Sequence, residues 1–217
     1  MNSAPSDFFA KMLVAIEQDI LPLQAAAAYP KRALVAFDES MLFSLGRERY
    51  IANYGYVLLS AECLEALVQM LRGHKVLDAG SGGGYLSHCL GAAGVDVTAV
   101  ELHPPETVPT EQDPRRLWQV DIAGCARQHV SAKYDVVIVS WPGHQQPFAF
   151  DIATALAPGQ VLVYQGEGSG GCTANPDFFE LVADWPLLED ETRALNAGHV
   201  QFHGVKDRWY VLMKPSA

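Results

Sequence analysis

Val76-Leu77-Asp78-Ala79-Gly80-Ser81-Gly82-Gly83-Gly84-Tyr85 is an apolar run that breaks into glycines and resumes at helical spacing through Leu86, Cys89 and Leu90. It reads as strand, tight turn and helix. A β-branched and aliphatic run bounded by glycine suits a buried parallel strand, and its glycines fall at the carboxyl end, where open α/β sheets bind ligands. Without Cβ atoms they permit positive φ and close approach of a ligand to the backbone.

The chain on either side continues the alternation. Upstream, Ser60 is placed to cap a helix whose face is Leu64, Leu67, Val68 and Leu71, with Gly73 as its stop. Downstream, residues 95–101 form a second strand ending in Glu101, residues 103–116 a proline-rich loop, and residues 117–121 a third strand ending in Asp121. Residues 134–140 are the strongest strand and lead into Trp141-Pro142-Gly143-His144. A helix through Phe148, Ile152 and Leu156 precedes a fifth strand over 161–164, which opens onto a second glycine loop, 166–171. Asn175 and Pro176 then start a helix, and residues 200–203 and 209–213 suggest a closing antiparallel pair. This pattern predicts a doubly wound, Rossmann-like α/β sandwich with a mostly parallel sheet and an antiparallel last strand. At the front, Phe9, Met12, Leu13, Ile16 and Ile20 predict an amphipathic helix, and residues 25–28 a shorter one. Residues 1–56 carry too little apolar surface for a core of their own and are expected to be a helical cap on the domain of residues 57–217.

Composition narrows the function classes. The 217 residues fit one domain, and a net charge of −10 disfavours a nucleic-acid partner, which is held mainly by Lys and Arg. The four cysteines are scattered without Cys-x-x-Cys or nearby histidines, so no metal site is expected. Neither a leader-like segment over 1–11 nor a run of 18 apolar residues occurs, and a cytoplasmic protein away from membranes is the expectation.

Three ligands suit a glycine turn after a first strand: a phosphate, a dinucleotide or S-adenosylmethionine. No Lys-Ser or Lys-Thr follows the glycines, which argues against a phosphate loop, and the third glycine of a dinucleotide fingerprint is replaced by Tyr85. Asp78-Ala79-Gly80-Ser81-Gly82-Gly83-Gly84 instead resembles motif I of the class I S-adenosylmethionine-dependent methyltransferases. Glu101, 23 residues beyond Asp78, stands at the second-strand acid of that family, where an acceptor-only side chain takes both ribose hydroxyls. Over about residues 54–185, His103-Pro104-Pro105, Ser140-Trp141-Pro142 and Gly166-Glu167-Gly168 followed by Gly170-Gly171-Cys172-Thr173 are similar to a narrower, little-characterised group within it. That group carries Trp-Pro where many amine methyltransferases carry Asn-Pro-Pro-Tyr. Protein-isoaspartate methyltransferases are a weaker resemblance, without their substrate-binding segment.

The resemblance implies a seven-stranded sheet and S-adenosylmethionine as cofactor. It implies a cofactor site of Asp78, Gly80, Ser81, Gly82, Tyr85, Glu101 and Leu102, with Asp121 and Ile122 at the adenine and Ser140 near the methyl. Tyr85 also reads as a packing residue, while Tyr54 and Tyr56 are placed to close over the cofactor. For the chemistry, Trp141 is a candidate to stack on acceptor or sulfonium, His144 a candidate base, and Glu167 a candidate receiver of an amine. Each has a plainer reading: pocket wall, solvated loop and loop residue. The expected activity is methyl transfer to a small-molecule acceptor, with a homo-oligomer possible. A dinucleotide oxidoreductase, another use of the sulfonium such as cyclisation or elimination, and a non-catalytic binding protein remain alternatives.

Overall fold

The computed structural model describes residues 40–110, 113–202 and 204–216, with side chains from residue 47 onward. The helices expected over 9–20 and 25–28, most of the cap, and His203 lie outside the described residues. In order, the elements are α1 (Ser40–Tyr54), α2 (Ala61–Leu71), β1 (Lys75–Ala79), α3 (Tyr85–Ala92), β2 (Asp96–Glu101) and β3 (Ile122–Ala123). After a 3₁₀ turn at Ala126–His129 come β4 (Val136–Ser140), α4 (Phe148–Ala155), β5 (Val161–Gly166), α5 (Pro176–Val182), α6 (Glu189–Gly198) and β6 (Arg208–Met213).

The strand order is β3-β2-β1-β4-β5-β6. All neighbours are parallel except β6, which runs antiparallel to β5. The order reverses between β1 and β4, so the ends of these strands frame the crevice of a doubly wound sheet. Apart from Lys75, Asp78 and Ser140 both are apolar, because helices cover both faces. Alternate side chains serve opposite layers: Val136 and Ile138 join Tyr50, Leu67, Leu90 and Trp209, whereas Val137 and Val139 join Leu77, Ile152, Leu162 and Phe178. Ser60 caps α2 as expected, its hydroxyl oxygen accepting from Cys63 N at 3.0 Å. The same hydroxyl donates to Gly198 O at 2.5 Å and ties α2 to the end of α6.

Three expectations are corrected. Among the described residues the sheet has six strands, not seven. Its outer edge at β6 is closed by other groups: the Asn196 side chain donates to Trp209 O at 2.8 Å and accepts from Trp209 N at 3.1 Å. Thr192 Oγ1 accepts from Val211 N at 3.0 Å, and Leu188 N donates to Val211 O. The backbone groups a seventh strand would use are thus already paired. Second, residues 117–121 are not a strand; Trp118 N and Gln119 N both donate to Gly83 O, at 2.7 and 3.2 Å, which draws this backbone onto the glycine turn and leaves only Ile122–Ala123 to pair with β2. Third, residues 200–202 form no strand, and β6 pairs with β5 instead; Val200 and Phe202 are buried in the helix-side core. Helix α6, with Leu195 as its one buried large apolar side chain, gives no apolar periodicity to read. No helix among the described residues is long and apolar enough to cross a membrane.

Candidate functional site

The glycine turn is built from the end of β1 outward. Gly80 N and Ser81 N both donate to Val100 O, at 2.9 and 3.1 Å, which bends the turn toward β2. Its glycines serve different neighbours. A Cβ on Gly83 or Gly84 would collide with the carbonyl oxygens of Arg116 and Gln119, and one on Gly80 would lie 2.9 Å from the Phe148 ring. Gly82, at φ +59°, has nothing within 4 Å of that position and faces open space. Two of the glycines therefore admit the protein's own backbone, while Gly82 leaves room for an incoming group.

Glu101, at the end of β2, turns its carboxylate onto this turn. Oε2 accepts from Gly82 N at 2.9 Å and Oε1 from His103 N at 3.1 Å. A carboxylate has about four acceptor sites, so each oxygen keeps a lone pair for a further donor. Asp78 lies behind the turn, fully buried, with Oδ2 accepting from Ser87 Oγ at 2.7 Å and Oδ1 without a partner. Burial pushes its carboxyl up to about 6, against the pull of the Ser87 bond, and the Glu101 charge adds to the rise. The Ser81 hydroxyl is also buried without a hydrogen-bond partner.

Two cavities meet at this turn. One of about 280 Å³ is lined by Gly80, Glu101, Leu102, Cys125, Trp141 and Phe148, among others. The other, of about 150 Å³, is lined by Tyr54, Tyr56, Ser81, Gly82, Tyr85 and Trp141, among others. Gly80, Ser140 and Trp141 border both. Tyr54, Tyr85 and Trp118 form an aromatic wall with ring centroids 5.0–5.7 Å apart, and Trp118 Nε1 donates to Asn53 O at 2.5 Å.

Trp141 stands at the junction with φ +46°, a left-handed conformation rare for a bulky residue. Its backbone N–H donates to Gln165 O at 2.8 Å and its Nε1 to Asp207 Oδ2 at 3.3 Å. Asp207 is buried just before β6. Its Oδ2 also accepts from Gln165 Nε2 at 2.5 Å, and Oδ1 lies 3.3 Å from His199 Nε2. Gln165 and Asp207 escape sequence reasoning, since a buried polar residue in an apolar strand and an acid before one carry no spacing signal. Cys125 and Phe148 are missed for a similar reason: each reads as loop or core residue alone.

Not every expected residue reaches the cavities. Asp121 accepts from Ala99 N at 2.7 Å and from Gln119 Nε2, acting as a substitute strand acceptor beside β2, and borders neither cavity; Ile122 beside it packs into the core. His144 is exposed and borders neither. The Glu167 carboxylate is taken up by backbone, accepting from Cys172 N at 2.7 Å and Lys206 N at 2.9 Å. The Lys206 and Cys172 N–H groups hold it below the usual carboxylate range. It staples the second glycine loop to the segment before β6. Among the described residues no group of three His, Cys, Asp or Glu side chains is placed to hold a metal ion.

Fold and site together define a Rossmann-like α/β sandwich with a divided cleft at its strand-order reversal. Solved structures with this architecture include the 1,6-didemethyltoxoflavin-N1-methyltransferase of Burkholderia thailandensis, bound to 1,6-didemethyltoxoflavin and S-adenosylhomocysteine. It is 20% identical over 86% of this chain and 94% of its own, with a TM-score of 0.43. The N-methyltransferase NodS of Bradyrhizobium japonicum is 15% identical over 82% and 99%, with a TM-score of 0.46. A point mutant of MtNAS in complex with S-adenosylmethionine is 13% identical over 97% and 98%, with a TM-score of 0.47. No protein-family model matches the chain, and no curated protein matches it in sequence.

Proposed function

We propose that this chain binds S-adenosylmethionine across the two cavities and transfers its methyl group to a small-molecule acceptor. The observation that carries the reading is the Glu101 carboxylate, set against the Gly82 amide at the carboxyl ends of β1 and β2 with lone pairs left for two hydroxyl donors. In this reading Glu101 takes the ribose, the Leu102 side chain lies against the base, and the unpartnered Ser81 hydroxyl serves the amino-acid end. When bound, the cofactor supplies a methyl group already activated by a sulfonium. The chain's own part is to align the acceptor and exclude water. Trp141 walls the junction and offers an aromatic face to positive charge there, while Tyr54, Tyr56 and Tyr85 enclose the smaller cavity. His144 and Glu167 have no role in it, and Asp121 and Ile122 support β2 instead.

The same reading takes residues 1–56 as a cap belonging to the domain of 57–217. Tyr50 and Tyr54 of α1 support this by packing into one core with Leu67 and Leu71 of α2. Titration calorimetry on the full chain tests the function. Heat is expected from both S-adenosylmethionine and S-adenosylhomocysteine, and Glu101→Gln should weaken both at least tenfold, roughly the loss of one charge-assisted hydrogen bond. No heat from folded protein overturns the reading. Methylthioadenosine in place of S-adenosylhomocysteine as product overturns methyl transfer in favour of another use of the sulfonium.

A further inference from the structure

We infer that Asp207 is a positioning residue of the methyl-transfer site: through its bond to Trp141 Nε1 it fixes the indole in the wall shared by the two cavities and so sets the affinity for the cofactor. The inference rests on the methyl-transfer reading and adds to it a residue that borders neither cavity.

The strained backbone of the molecule is gathered beside the cleft. Among the described residues the non-glycine residues with left-handed φ are Trp141 (+46°), Gln145 (+60°) and Ala174 (+56°), all in the two loops that follow β4 and β5. Those loops are bound to each other, Gln145 N donating to Ala174 O at 2.9 Å and Ala174 N to Pro142 O at 3.2 Å. Such a conformation persists only where the surroundings over-determine it, above all for a side chain as bulky as tryptophan. At Trp141 two anchors close on themselves. Its N–H donates to Gln165 O, its Nε1 donates to Asp207 Oδ2, and the Gln165 side chain donates to the same Oδ2. The circuit joins the end of β4, the end of β5 and the approach to β6.

The Asp207 side chain has no comparable task in the sheet. The β5–β6 ladder runs from the Val161 and Met213 pair to the Gly166 and Arg208 pair and closes without it. Its backbone is held separately, Asp207 O accepting from Gln201 Nε2 at 2.5 Å and lying 3.1 Å from His199 Nε2. The residue is 3% exposed, and among the described residues its one ion-pair partner is His199, with no Lys or Arg. A carboxylate so placed is costly to bury. The donors its Oδ2 satisfies are the Trp141 indole and the side-chain amide of the residue that holds the Trp141 backbone. The ring borders both cavities beside Gly80 and Ser140, with Tyr56 stacked on one face. Without Asp207 the indole loses its side-chain anchor, and a ring that relaxes from the left-handed backbone leaves the shared wall.

A double-mutant cycle tests this, read by calorimetry on the full chain with S-adenosylmethionine and S-adenosylhomocysteine. Asp207→Ala should weaken both ligands at least tenfold, and Trp141→Phe, which keeps an aromatic ring without the donor, should weaken them comparably. Asp207→Asn, whose side-chain oxygen still accepts from Trp141 Nε1, should stay within about threefold of wild type. Adding Asp207→Ala to Trp141→Phe should weaken binding by less than about threefold more, because the bond is already gone. Losses that multiply in the double variant make Asp207 a structural residue and overturn the inference, as does Asp207→Ala binding like wild type or Asp207→Asn binding like Asp207→Ala. The second readout is the Trp141 indole N–H resonance in a chain with isotope-labelled tryptophan, identified by its loss in Trp141→Phe. It should shift on saturation with S-adenosylhomocysteine, and it should move upfield in Asp207→Asn as a charge-assisted bond becomes a neutral one. If Asp207→Ala does not fold, these two shifts decide, and a resonance unmoved by either overturns the inference. No heat from either ligand in folded wild type overturns the cofactor reading and this one together, whereas multiplying losses in a chain that binds overturn this one alone.

Discussion

A carboxyl that burial forces to hold its proton, as Asp78 does behind the glycine turn, makes stability depend on pH in a defined direction. Its folded pKa of about 6 lies above its ordinary 3.8. Below 3.8 folded and unfolded chains both hold the proton. Between 3.8 and about 6 the unfolded chain releases it first, so this group's contribution to stability falls as pH rises, and above about 6 the loss is complete. The difference amounts to about 3 kcal/mol at most. Asp78→Asn should remove that slope: its stability relative to wild type, from urea unfolding at pH 4 and pH 7, should improve by about 2–3 kcal/mol at the higher pH. An unchanged difference would mean that Oδ1 has its desolvation relieved in solution. The Ser87 bond gives Asp78 a task that its place in the glycine motif does not show. An acid at a strand end has the same spacing whether it faces a ligand or a helix. Glu101 stands at the second-strand acid that the family resemblance marks, whereas Asp207 carries no such mark, because its meaning depends on Trp141, 66 residues away.

At the level of elements, the glycine turn makes two demands that substitution can separate. Gly82→Ala puts a methyl into open space at φ +59°, which costs about 1–2 kcal/mol of backbone strain, and should leave the chain folded. Its affinity for S-adenosylhomocysteine should fall at least tenfold, because the methyl takes the space of the incoming ligand. Gly84→Ala, at φ +78°, drives a methyl into the Gln119 carbonyl and should cost more than about 3 kcal/mol or prevent folding. Thermal unfolding and calorimetry on both variants measure the contrast; equal stability would remove residues 116–119 from the turn's support. That docking also explains why the third strand is cut to Ile122–Ala123, since backbone donors used on Gly83 are absent from the ladder. Strand propensity over 117–121 could not reveal a partner that lies in the turn. The closed edge of β6 follows the same logic. Asn196→Ala leaves Trp209 N and O without partners at a covered edge and should destabilise by about 2 kcal/mol in urea unfolding, whereas Asn196→Gln, one methylene longer, should recover only part. A loss under about 0.5 kcal/mol would show that water reaches this edge.

Across the whole molecule, the doubly wound, mostly parallel sheet with an antiparallel last strand was legible because alternating strands and helices admit few right-handed, unknotted arrangements, of which the chain takes the order β3-β2-β1-β4-β5-β6. The strand count was not, because Asn196 and Thr192 occupy the edge with side chains whose hydrogen bonds leave no periodicity. The cleft inherits its position from that order: its walls come from β1, β2, β4 and the α1–α2 connection, elements that meet only in the folded chain. A ligand seated there therefore binds the native state alone and stabilises it by mass action. At a free concentration one hundred times its dissociation constant, S-adenosylhomocysteine should add about 2.7 kcal/mol, which for a domain of this size raises Tm by about 5–10 °C. Glu101→Gln at the same ligand concentration should show a rise smaller by at least half, since a tenfold weaker site gains about 1.4 kcal/mol less. The unliganded Tm of this variant should stay within a few degrees of wild type, because Glu101 is only half-buried and its two partners are backbone amides of a surface turn. A large unliganded drop would make Glu101 a structural clasp of the turn rather than a ligand contact, and an equal rise in both chains would place the bound nucleoside away from the end of β2.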